Sequence, residues 1–548
     1  MPDKWEIVQD THGHPLLADI LMIHVSLLPS GKVLGIGGSQ HDQNAPKPFH
    51  SVLWDPAAPQ TMRVIPFPGP DPFCAGHCLL PDGNVLVAGG TDKYDRAPQN
   101  PHGPHHFTGI ADCFIFEWRT EQWTQAARMA NPRWYPTLIT LSDGRVLCMS
   151  GHGGTSQLSH EVLETEIYDP TALRWKPPRA TVPKLEDTGQ FWLFTMQRPM
   201  IYYTRLHGLA DGRIFSSTAL QEVGGRRRTR ILDVSNNMLT TVGPPPCGML
   251  VPLMSHVYSR SNFTSVLLPL IPPKYEQHVL IAGGRTARRF DLETLMPRWR
   301  RAGQRRPYPM RAYTTGLLLA DGSTLLIGGG RSEKVPRWYW PWSEVGGYDE
   351  DANFIPERYL WEQDTWVEGS APTDYPPIPR MYHTCALVLP SGAVLVVGSN
   401  HDSQRNDGGS RTDHGHHGQD ARELRMEIYS PPHLFDGVDA NGKPHPAQRP
   451  EVGALPTDSA GYGDPITLTS PDAHRIQRVT VLRCSSVTHG YTSDQRLIEL
   501  VIDPTSRTAQ SLTVTTPPTP TLAIPGYYLL FALDGAGVPS VGQFLLIG

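Results

Sequence analysis

One short pattern of apolar residues recurs along most of the chain. Each copy follows a turn, continues with mainly aliphatic residues, and in several cases ends in a pair of glycines. The seven copies are SGKVLGIGG (30–38), DGNVLVAGG (82–90), DGRVLCMSG (143–151), DGRIFSS (211–217), QHVLIAGG (277–284), DGSTLLIGGG (321–330) and SGAVLVVGS (391–399). A continuous apolar run of this length between turn signals predicts a strand that is buried on both faces.

Most copies are followed by a second pair of strand-like segments with polar edges. Examples are DCFIFEWRTEQWTQ (112–125), TEIYDPTALRWKPP (165–178), ARRFDLETLMPRWR (287–300) and RYLWEQDTWVEG (358–369). Each unit therefore supplies four short antiparallel strands and cannot cover its own faces. Radial packing of the units around an axis buries those faces and leaves few exposed edges. We predict an all-β chain with a seven-bladed β-propeller over residues 1–440, whose glycine-pair pattern resembles kelch repeats. The strand pair at 20–39 is expected to close the ring against the last blade.

The pattern changes after residue 440. The segment 436–450 is rich in turn residues, and short alternating strands follow, among them RVTVLRCSSVTH and GYYLLFALDGAG. About 100 residues of such strands fit an immunoglobulin-like sandwich. We therefore predict a second domain over residues 441–548, of the immunoglobulin-like Early set type.

Composition and charge exclude several partners. The 48 Lys and Arg residues stand against 53 Asp and Glu residues, a formal net charge of −5, which favours neither a nucleic acid nor an acidic membrane surface. The apolar segment 16–28 is interrupted by Asp19 and His24 and lacks a basic flank, so it predicts a strand and not an export signal. No segment approaches the roughly 20 apolar residues of a membrane span. These features predict a soluble chain, either cytoplasmic or a mature form without its leader. We also expect a monomer.

Four phrases place chemically active side chains near the starts of strands or at a loop tip. They are DPFCAGHCLLPDGNVL with Cys74, NPRWYPTLITLSDGRVL with Tyr135, RMYHTCALVLPSGAVL with Tyr382 and His383, and SSVTHGYTS with His489. The first three precede a repeat copy by a similar distance, so propeller geometry would direct them to one axial end. Tyr382 and His383 point to opposite faces of a regular strand, and they reach the same point only if the backbone turns there.

Two phenols and two imidazoles in one place would form a donor set for a metal. Two nitrogen and two oxygen donors in a tetragonal arrangement suit Cu(II), whereas zinc prefers more imidazole or thiolate and magnesium prefers carboxylates. Copper changes its charge by one electron, while oxidation of an alcohol or hydrated aldehyde removes two. An electron-rich tyrosine is a candidate for the second one-electron store.

These phrases resemble the copper radical oxidases, the family of galactose oxidase and glyoxal oxidase. The resemblance covers nearly the whole chain, including the ending PGYYLLFALDGAGVPSVGQ. It implies a Cys74–Tyr135 thioether that carries a tyrosyl radical, with Tyr135, Tyr382, His383 and His489 as ligands of one copper ion. It also implies that Tyr382 accepts the substrate proton, and that O₂ is reduced to H₂O₂ while a primary alcohol or small aldehyde is oxidised. Members of this family are mostly exported.

The sequence departs from galactose oxidase near the implied site. In SGHGG (150–154), His152 stands about where galactose oxidase has a tryptophan stacked on the thioether, and RWYPT is closer to glyoxal oxidase. A small aldehyde or primary alcohol is therefore the expected substrate, and not galactose. We also consider His152, His77 in CAGHC, and Trp134 as groups that contact and orient the ligands.

Each residue has an alternative interpretation. Taken alone, Cys74 could be a small buried hydrophobic residue, and Tyr135 could be an aromatic residue that packs between sheets. His383 could be a histidine at the edge of the core, and His489 could be an ordinary loop residue. His152 and His77 equally fit polar residues at the propeller mouth. With these interpretations the chain would be a kelch-type propeller that binds a protein or glycan without catalysis. Such a module would not need the five residues together.

Other segments carry less information. The histidine-rich stretches 100–109 and 400–420 fit solvated loops with weak metal affinity, and the basic run 224–230 fits the edge of a hairpin. The seven cysteines lack CxxC spacing, and their odd number means that at least one forms no intrachain disulfide. Of these, Cys78, Cys113, Cys148 and Cys385 lie in apolar strands and are expected to fill core space.

Overall fold

A computed structural model describes most of the chain. The described residues are 2–39, 45, 47–95, 106–154, 162, 164–180, 182–183, 202–217, 229–243, 264–283, 287–294, 297–305, 311, 313–330, 352–400 and 422–548. In these ranges the regular structure is β-strand apart from one 3₁₀ turn, Pro432–Leu434. No helix in them is both long and apolar enough to cross a bilayer. The segments 100–105, 224–228 and 401–420, together with Cys247, lie outside the described residues.

Seven sheets of four or more strands precede residue 431 in the described part of the chain, and we number them by their first strands. Sheet 1 contains His24–Leu27, Val33–Ile36, His50–Trp54 and Met62–Pro66. Sheet 2 contains Gly76–Leu79, Val85–Ala88, Cys113–Glu117 and Gln122–Ala126. Sheet 3 contains Thr137–Thr140, Val146–Met149, Glu164–Asp169 and Arg174–Trp175, with Arg179–Ala180 beside the third strand. Sheet 4 contains Leu206–Gly208, Ile214–Ser216, Thr229–Asp233 and Met238–Gly243, with Val182–Pro183 parallel to the last strand; sheet 5 contains Thr264–Leu267, His278–Ala282, Arg288–Asp291 and Trp299–Arg301. Sheet 6 contains Thr315–Leu318, Thr324–Ile327, Glu357–Leu360 and Thr365–Glu368; sheet 7 contains Cys385–Val388, Val394–Val397, Glu427–Ser430 and Lys4–Ile7. A separate hairpin pairs Thr91–Asp95 with His106–Gly109.

The repeated apolar phrase forms the second strand of every sheet. This strand is almost completely buried in each sheet, as in VLVA at Val85–Ala88 and VLVV at Val394–Val397. It pairs with the first strand on one side and the third on the other, so its aliphatic side chains meet neighbouring sheets on both faces. The prediction of an all-β chain built from four-stranded units is confirmed.

The first strands of neighbouring sheets pack against one another. Such contacts join sheets 1 and 2, 2 and 3, 3 and 4, 5 and 6, 6 and 7, and 7 and 1 among the described residues. This is the order expected for radial packing around an axis. The closure of seven blades into one ring and the domain boundary at residue 440 remain predictions.

The strand that completes sheet 7 is not the one we expected. Lys4–Ile7 pairs with Glu427–Ser430, so the N-terminal strand fills the outer edge of the last sheet. The pair within residues 20–39 belongs to sheet 1, where His24–Leu27 pairs with Val33–Ile36 on one side and with a C-terminal hairpin on the other. Both edges of that strand are therefore occupied, and the expectation for 20–39 is wrong.

The C-terminal region forms two small sheets around its own core. One contains Ser459–Ala460, Gln543–Ile547, Gly526–Asp534, Ile476–Arg483 and Leu497–Glu499, and the other contains Pro465–Thr469, Ser511–Thr515 and Val501–Asp503. A connecting hairpin, Phe435–Val438 with Pro444–Pro446, precedes them. Alternate residues such as Ile466, Leu468, Leu512 and Val514 are buried between the sheets. This is the two-layer packing of a sandwich.

A hairpin from this C-terminal region joins the N-terminal sheets. Ser486–Thr488 and Tyr491–Ser493 pair with each other, and Ser486–Thr488 also pairs with His24–Leu27, which extends sheet 1 to six strands. The turn of this hairpin contains His489. The hairpin is how a residue from the C-terminal region reaches the first strands of the N-terminal sheets.

Candidate metal centre

Three of the predicted site residues occupy one register position. Cys74, Tyr135 and His383 each lie two residues before the first strand of their sheet, with φ values of 62°, 61° and 67°. A left-handed backbone is uncommon for a residue with a side chain, so its recurrence at this position reflects a shared turn. Since first strands of neighbouring sheets pack side by side, equivalent turns bring their side chains together. The turn expected at Tyr382 and His383 is confirmed.

His489 reaches the same place from the hairpin turn. Its φ is 49°, and its carbonyl oxygen accepts a hydrogen bond of 2.8 Å from Arg205 Nη2. The next residue, Gly490, packs so closely on the carbonyl oxygen of Thr314 that a Cβ would not fit there without displacement. The hairpin tip is therefore held by contacts with sheets 4 and 6.

The structure brings all five predicted residues together. The phenol oxygens of Tyr135 and Tyr382 are 2.6 Å apart, and the His489 ring centroid lies 4.6 Å from that of His383, 5.1 Å from Tyr135 and 5.4 Å from Tyr382. One ligand atom each from Cys74, His383 and His489 lie within 4.8 Å of one another. Cys74, Tyr135, His383 and His489 are at most 3% exposed, so these four side chains are shielded from bulk water.

The hydrogen bonds of the two histidines define which nitrogen carries the lone pair. His383 Nδ1 bonds Asn400 Oδ1, which accepts only, so Nδ1 carries the hydrogen. His489 Nδ1 lies 2.7 Å from Thr488 Oγ1, whose own hydrogen is donated to the Ile23 carbonyl, so here also Nδ1 is the donor. In the neutral rings, Nε2 of both residues then carries the lone pair that a metal ion would bind.

Known proteins resemble both the fold and the C-terminal sequence. Residues 449–547 match the family described as galactose oxidase-like, Early set domain. The C-terminal domain is a galactose oxidase-like Early set domain.

Curated relatives resemble nearly the whole chain. Over 94% of this chain, the sequence is 24% identical to galactose oxidase of Gibberella zeae, and the match covers 67% of that protein. Over 100% of this chain, it is 24% identical to aldehyde oxidase GLOX of Vitis pseudoreticulata, and the match covers 97% of that protein. A fungal alcohol oxidase solved in complex with copper superposes with a TM-score of 0.72 at 20% identity, with full coverage of both chains. The resemblance noted in the sequence is confirmed by these homologues.

The Early set domain thus supplies His489, and the repeats supply the other four residues. The aromatic group that covers Tyr135 is Trp134, whose ring is stacked on it with centroids 3.9 Å apart at 21°. His152 forms a short backbone bridge with Trp134, with hydrogen bonds of 2.7 and 2.8 Å, and its ring faces Tyr202 at 6.4 Å. His77 lies beside His24, with ring centroids 4.9 Å apart.

Tyrosines that the sequence reasoning missed also surround the cluster. Tyr203 is buried, its ring lies 4.6 Å from Tyr135 and 4.7 Å from His489, and its hydroxyl donates to the Ala75 carbonyl at 2.7 Å. Tyr313 lies two residues before the first strand of sheet 6, with φ of 60°, and its ring faces Tyr382 at 5.5 Å. Aligning the segments that precede all seven repeat copies would have identified both residues.

A backbone ladder links the equivalent turns. The amide of Tyr135 donates to the Cys74 carbonyl at 2.9 Å, and the amide of Tyr203 donates to the Tyr135 carbonyl at 3.0 Å. The turns of sheets 2, 3 and 4 are therefore tied directly to one another. This fixes the relative position of the Cys74 and Tyr135 side chains within one buried cluster.

A buried arginine lies two residues before three of these tyrosines. The pairs are Arg133 with Glu166, Arg311 with Glu357 and Arg380 with Glu427, and each glutamate lies on the third strand of the same sheet. Each arginine also donates to a backbone carbonyl near the end of the second strand, as Arg380 Nη1 does to Gly398 O at 2.7 Å. Removing one partner of a buried pair costs about 3–5 kcal/mol. These pairs hold the turns that carry Tyr135, Tyr313 and Tyr382.

The surroundings of the cluster disfavour additional charge. Burial raises the pKa of the Tyr203 phenol well above its ordinary value, and the nearby Cys74 and Tyr382 raise it further. Burial likewise lowers the pKa of His24 well below its ordinary value. Tyr203 is therefore a protonated phenol and His24 a neutral imidazole at pH 7.

Proposed function

We propose that this chain is a copper-dependent oxidase that converts a primary alcohol or small aldehyde with O₂ as acceptor and releases H₂O₂. The observation that carries the proposal is the donor set: two phenol oxygens 2.6 Å apart beside two histidines whose hydrogen bonds make Nε2 the donor nitrogen. The homologues named galactose oxidase and aldehyde oxidase support it. A binding module would not require this arrangement.

The residues present fit a copper ion. Tyr135, Tyr382, His383 and His489 offer two oxygens and two nitrogens without a carboxylate, which is a set that suits Cu(II). Two phenolate oxygens at 2.6 Å would repel each other, and a bound cation would offset this repulsion. When bound, copper would supply a one-electron redox couple and lower the pKa of the coordinating phenols.

The protein side chains have separate roles in this proposal. Tyr382 accepts the hydroxyl proton of the substrate as general base. Tyr135 provides the second one-electron store and removes the hydrogen atom from the substrate carbon, while the stacked Trp134 shields it from solvent. The substrate RCH₂OH loses two electrons and two protons to become RCHO, and O₂ gains them to become H₂O₂. His383 and His489 stay oriented through Asn400 and Thr488.

A thioether between Cys74 and Tyr135 is part of the proposal. Support comes from the amide–carbonyl bond between the two residues and from their shared buried cluster. Formation of the bond joins Sγ to a ring carbon and removes one hydrogen from each, so two electrons and two protons go to O₂. Copper-treated protein should therefore lose about 2 Da and run faster than Cys74→Ala on a denaturing gel.

A second candidate for Cys74 follows from its distance to the histidines. A sulfur within 4.8 Å of both ligand nitrogens could bind the metal directly as a thiolate with His383 and His489. Unchanged mass and gel mobility, together with a sulfur ligand in X-ray absorption, would favour this thiolate site over the cross-link.

The decisive experiment measures H₂O₂ production by copper-loaded protein with glyoxal-type aldehydes, primary alcohols and sugars. We expect small aldehydes or primary alcohols to react faster than galactose, because the RWYPT phrase resembles glyoxal oxidases. A chain that binds one copper ion and yields no peroxide with any of them would instead support the binding module. The monomeric state, export from the cytoplasm, and the absence of nucleic-acid or membrane partners remain predictions.

A further inference from the structure

Two buried histidines, His24 and His77, face each other close to the candidate metal centre. His24 is the first residue of sheet 1 and His77 lies in the first strand of sheet 2; they are 1% and 4% exposed. Their ring centroids are 4.9 Å apart and the rings are nearly perpendicular, at 80°. Neither residue has a role in the proposed oxidation.

Three ring nitrogens of this pair have no hydrogen-bond partner. His77 Nε2 lies 3.4 Å from the Val25 carbonyl, which accepts only, so Nε2 carries the hydrogen and Nδ1 carries a lone pair. That Nδ1 and both nitrogens of His24 are buried and unbonded. A buried polar group left in this state costs about 1–3 kcal/mol. Two such residues side by side indicate a ligand between or beside them.

The surroundings restrict the charge of that ligand. Besides desolvation, the groups that influence the protonation of His24 are two other imidazoles, His77 and His383. The hydrogen bond of His77 Nε2 leaves its Nδ1 as a bare nitrogen donor, and His24 offers a second. The cost of burying an ion rises with the square of its charge, so two neutral nitrogen donors without a carboxylate favour a monovalent cation over a divalent one.

We propose that His24 and His77 form a second metal site that binds Cu(I). Imidazole is a suitable copper ligand, and Cu(I) accepts two-coordinate geometry, whereas Cu(II) and Zn²⁺ require about four ligands. The His24 ring lies 6.2 Å from that of His489, so the pair lies beside the candidate centre. The site does not depend on oxidase activity and can be tested without substrate.

The test counts Cu(I) ions per chain without oxygen, using Cu(I) alone in competition with a chromogenic chelator. His383→Ala/His489→Ala removes the candidate centre, and this variant should still bind one ion. Adding His24→Leu and His77→Leu should abolish that binding, whereas adding His207→Leu, a buried histidine in sheet 4, should not. X-ray absorption of the one-ion variant should show nitrogen and no sulfur neighbours. No Cu(I) in the His383→Ala/His489→Ala variant, or equal binding after the leucine substitutions, would overturn the proposal.

Thermal unfolding checks that the leucine variant is folded. Replacing unbonded buried imidazoles with apolar side chains should leave the metal-free stability unchanged or raised. Cu(I) should then raise the Tm of His383→Ala/His489→Ala but not that of the variant that also has leucines at 24 and 77. If Cu(I) raises neither Tm while the leucines stabilise the protein, the pair holds only a water molecule and the proposal is wrong. Because peroxide is not measured, failure of the oxidase proposal would appear separately.

Discussion

Tyr135 and Tyr382 are 247 residues apart in the chain, and their phenol oxygens are 2.6 Å apart in the structure. The two residues come from sheets 3 and 7, and each follows an arginine anchored by a buried glutamate. The short distance results from the turns that precede the first strands of sheets 3 and 7, which bring the two side chains together. It defines where a shared metal ion and a substrate would bind.

Tyr382→Phe should reduce peroxide production roughly 10²–10⁴-fold, because the phenol that accepts the substrate proton is lost while the ring remains. The measurement is kcat with a saturating substrate at constant copper loading. Tyr168→Phe, a buried tyrosine of sheet 3, serves as the control and should keep its activity. Equal rates for wild type and Tyr382→Phe would remove Tyr382 from the mechanism.

Glu166→Gln, Glu357→Gln and Glu427→Gln form a matched set, because each weakens the buried ion pair of one sheet. All three should lower the free energy of unfolding, by up to about 3–5 kcal/mol. Copper affinity should fall for Glu166→Gln and Glu427→Gln, whose arginines hold Tyr135 and Tyr382, and stay near wild type for Glu357→Gln. The three free energies come from urea denaturation and the affinities from chelator competition. A uniform loss of affinity across the set would mean that the pairs act on stability alone.

Gly398→Ala should disturb His383. Gly398 has φ of 73°, and a Cβ there would overlap the His383 carbonyl oxygen. The strain should lower stability by roughly 1–3 kcal/mol and also reduce copper affinity. Gly392→Ala is the control, since Gly392 has φ of 82° with no atom closer than 3.5 Å to the added Cβ. If both variants lose stability equally and bind copper equally, the contact with His383 has no functional role.

Trp134→Phe should change the visible absorption of the oxidised protein and lower its activity, because Trp134 is the ring stacked on Tyr135. His152→Gln should have a smaller effect, since His152 meets Trp134 through its backbone. Spectra of copper-loaded, oxidant-treated samples and their kcat values make the comparison. A larger change from His152→Gln than from Trp134→Phe would mean that the side chain of His152, and not the Trp134 ring, controls the radical.

His207 should contribute to acid sensitivity. Burial lowers its pKa to about 3, with Arg496 and Arg205 acting in the same direction, and Ser265 Oγ lies 2.7 Å from its Nε2. The folded pKa of His207 is below the ordinary value of 6.5. The contribution of the neutral His207 ring to the free energy of unfolding is therefore complete above pH 6.5 and is lost as the pH falls toward 3. In His207→Gln, the slope of the unfolding free energy against pH should be smaller by up to about 1.4 kcal/mol per pH unit in this range. Urea denaturation at several pH values gives both slopes, and identical slopes would contradict the assignment.

The apolar phrases predicted the fold class because a buried second strand needs aliphatic residues on both faces, which is a local requirement. Cys74, Tyr135, Tyr382 and His383 could be predicted from their distance to these phrases, and His489 from the resemblance of its own phrase to the copper radical oxidases. The closing strand could not, since Lys4–Ile7 carries no pattern that specifies Glu427–Ser430 as its partner. The role of Trp134 also depended on ring orientation, and Tyr203 was missed because its segment was not aligned with the others.

The amino-acid sequence by itself determined the all-β class, the four-stranded units and the residue types of the candidate metal centre, because hydrophobic periodicity and turn chemistry act between residues that are close along the chain. The tertiary structure decided which strand completes sheet 7, which nitrogens of His383 and His489 carry lone pairs, and that His24 and His77 face each other. These features depend on contacts between segments tens to hundreds of residues apart. Their geometry is set by how the sheets pack, and no local pattern encodes it.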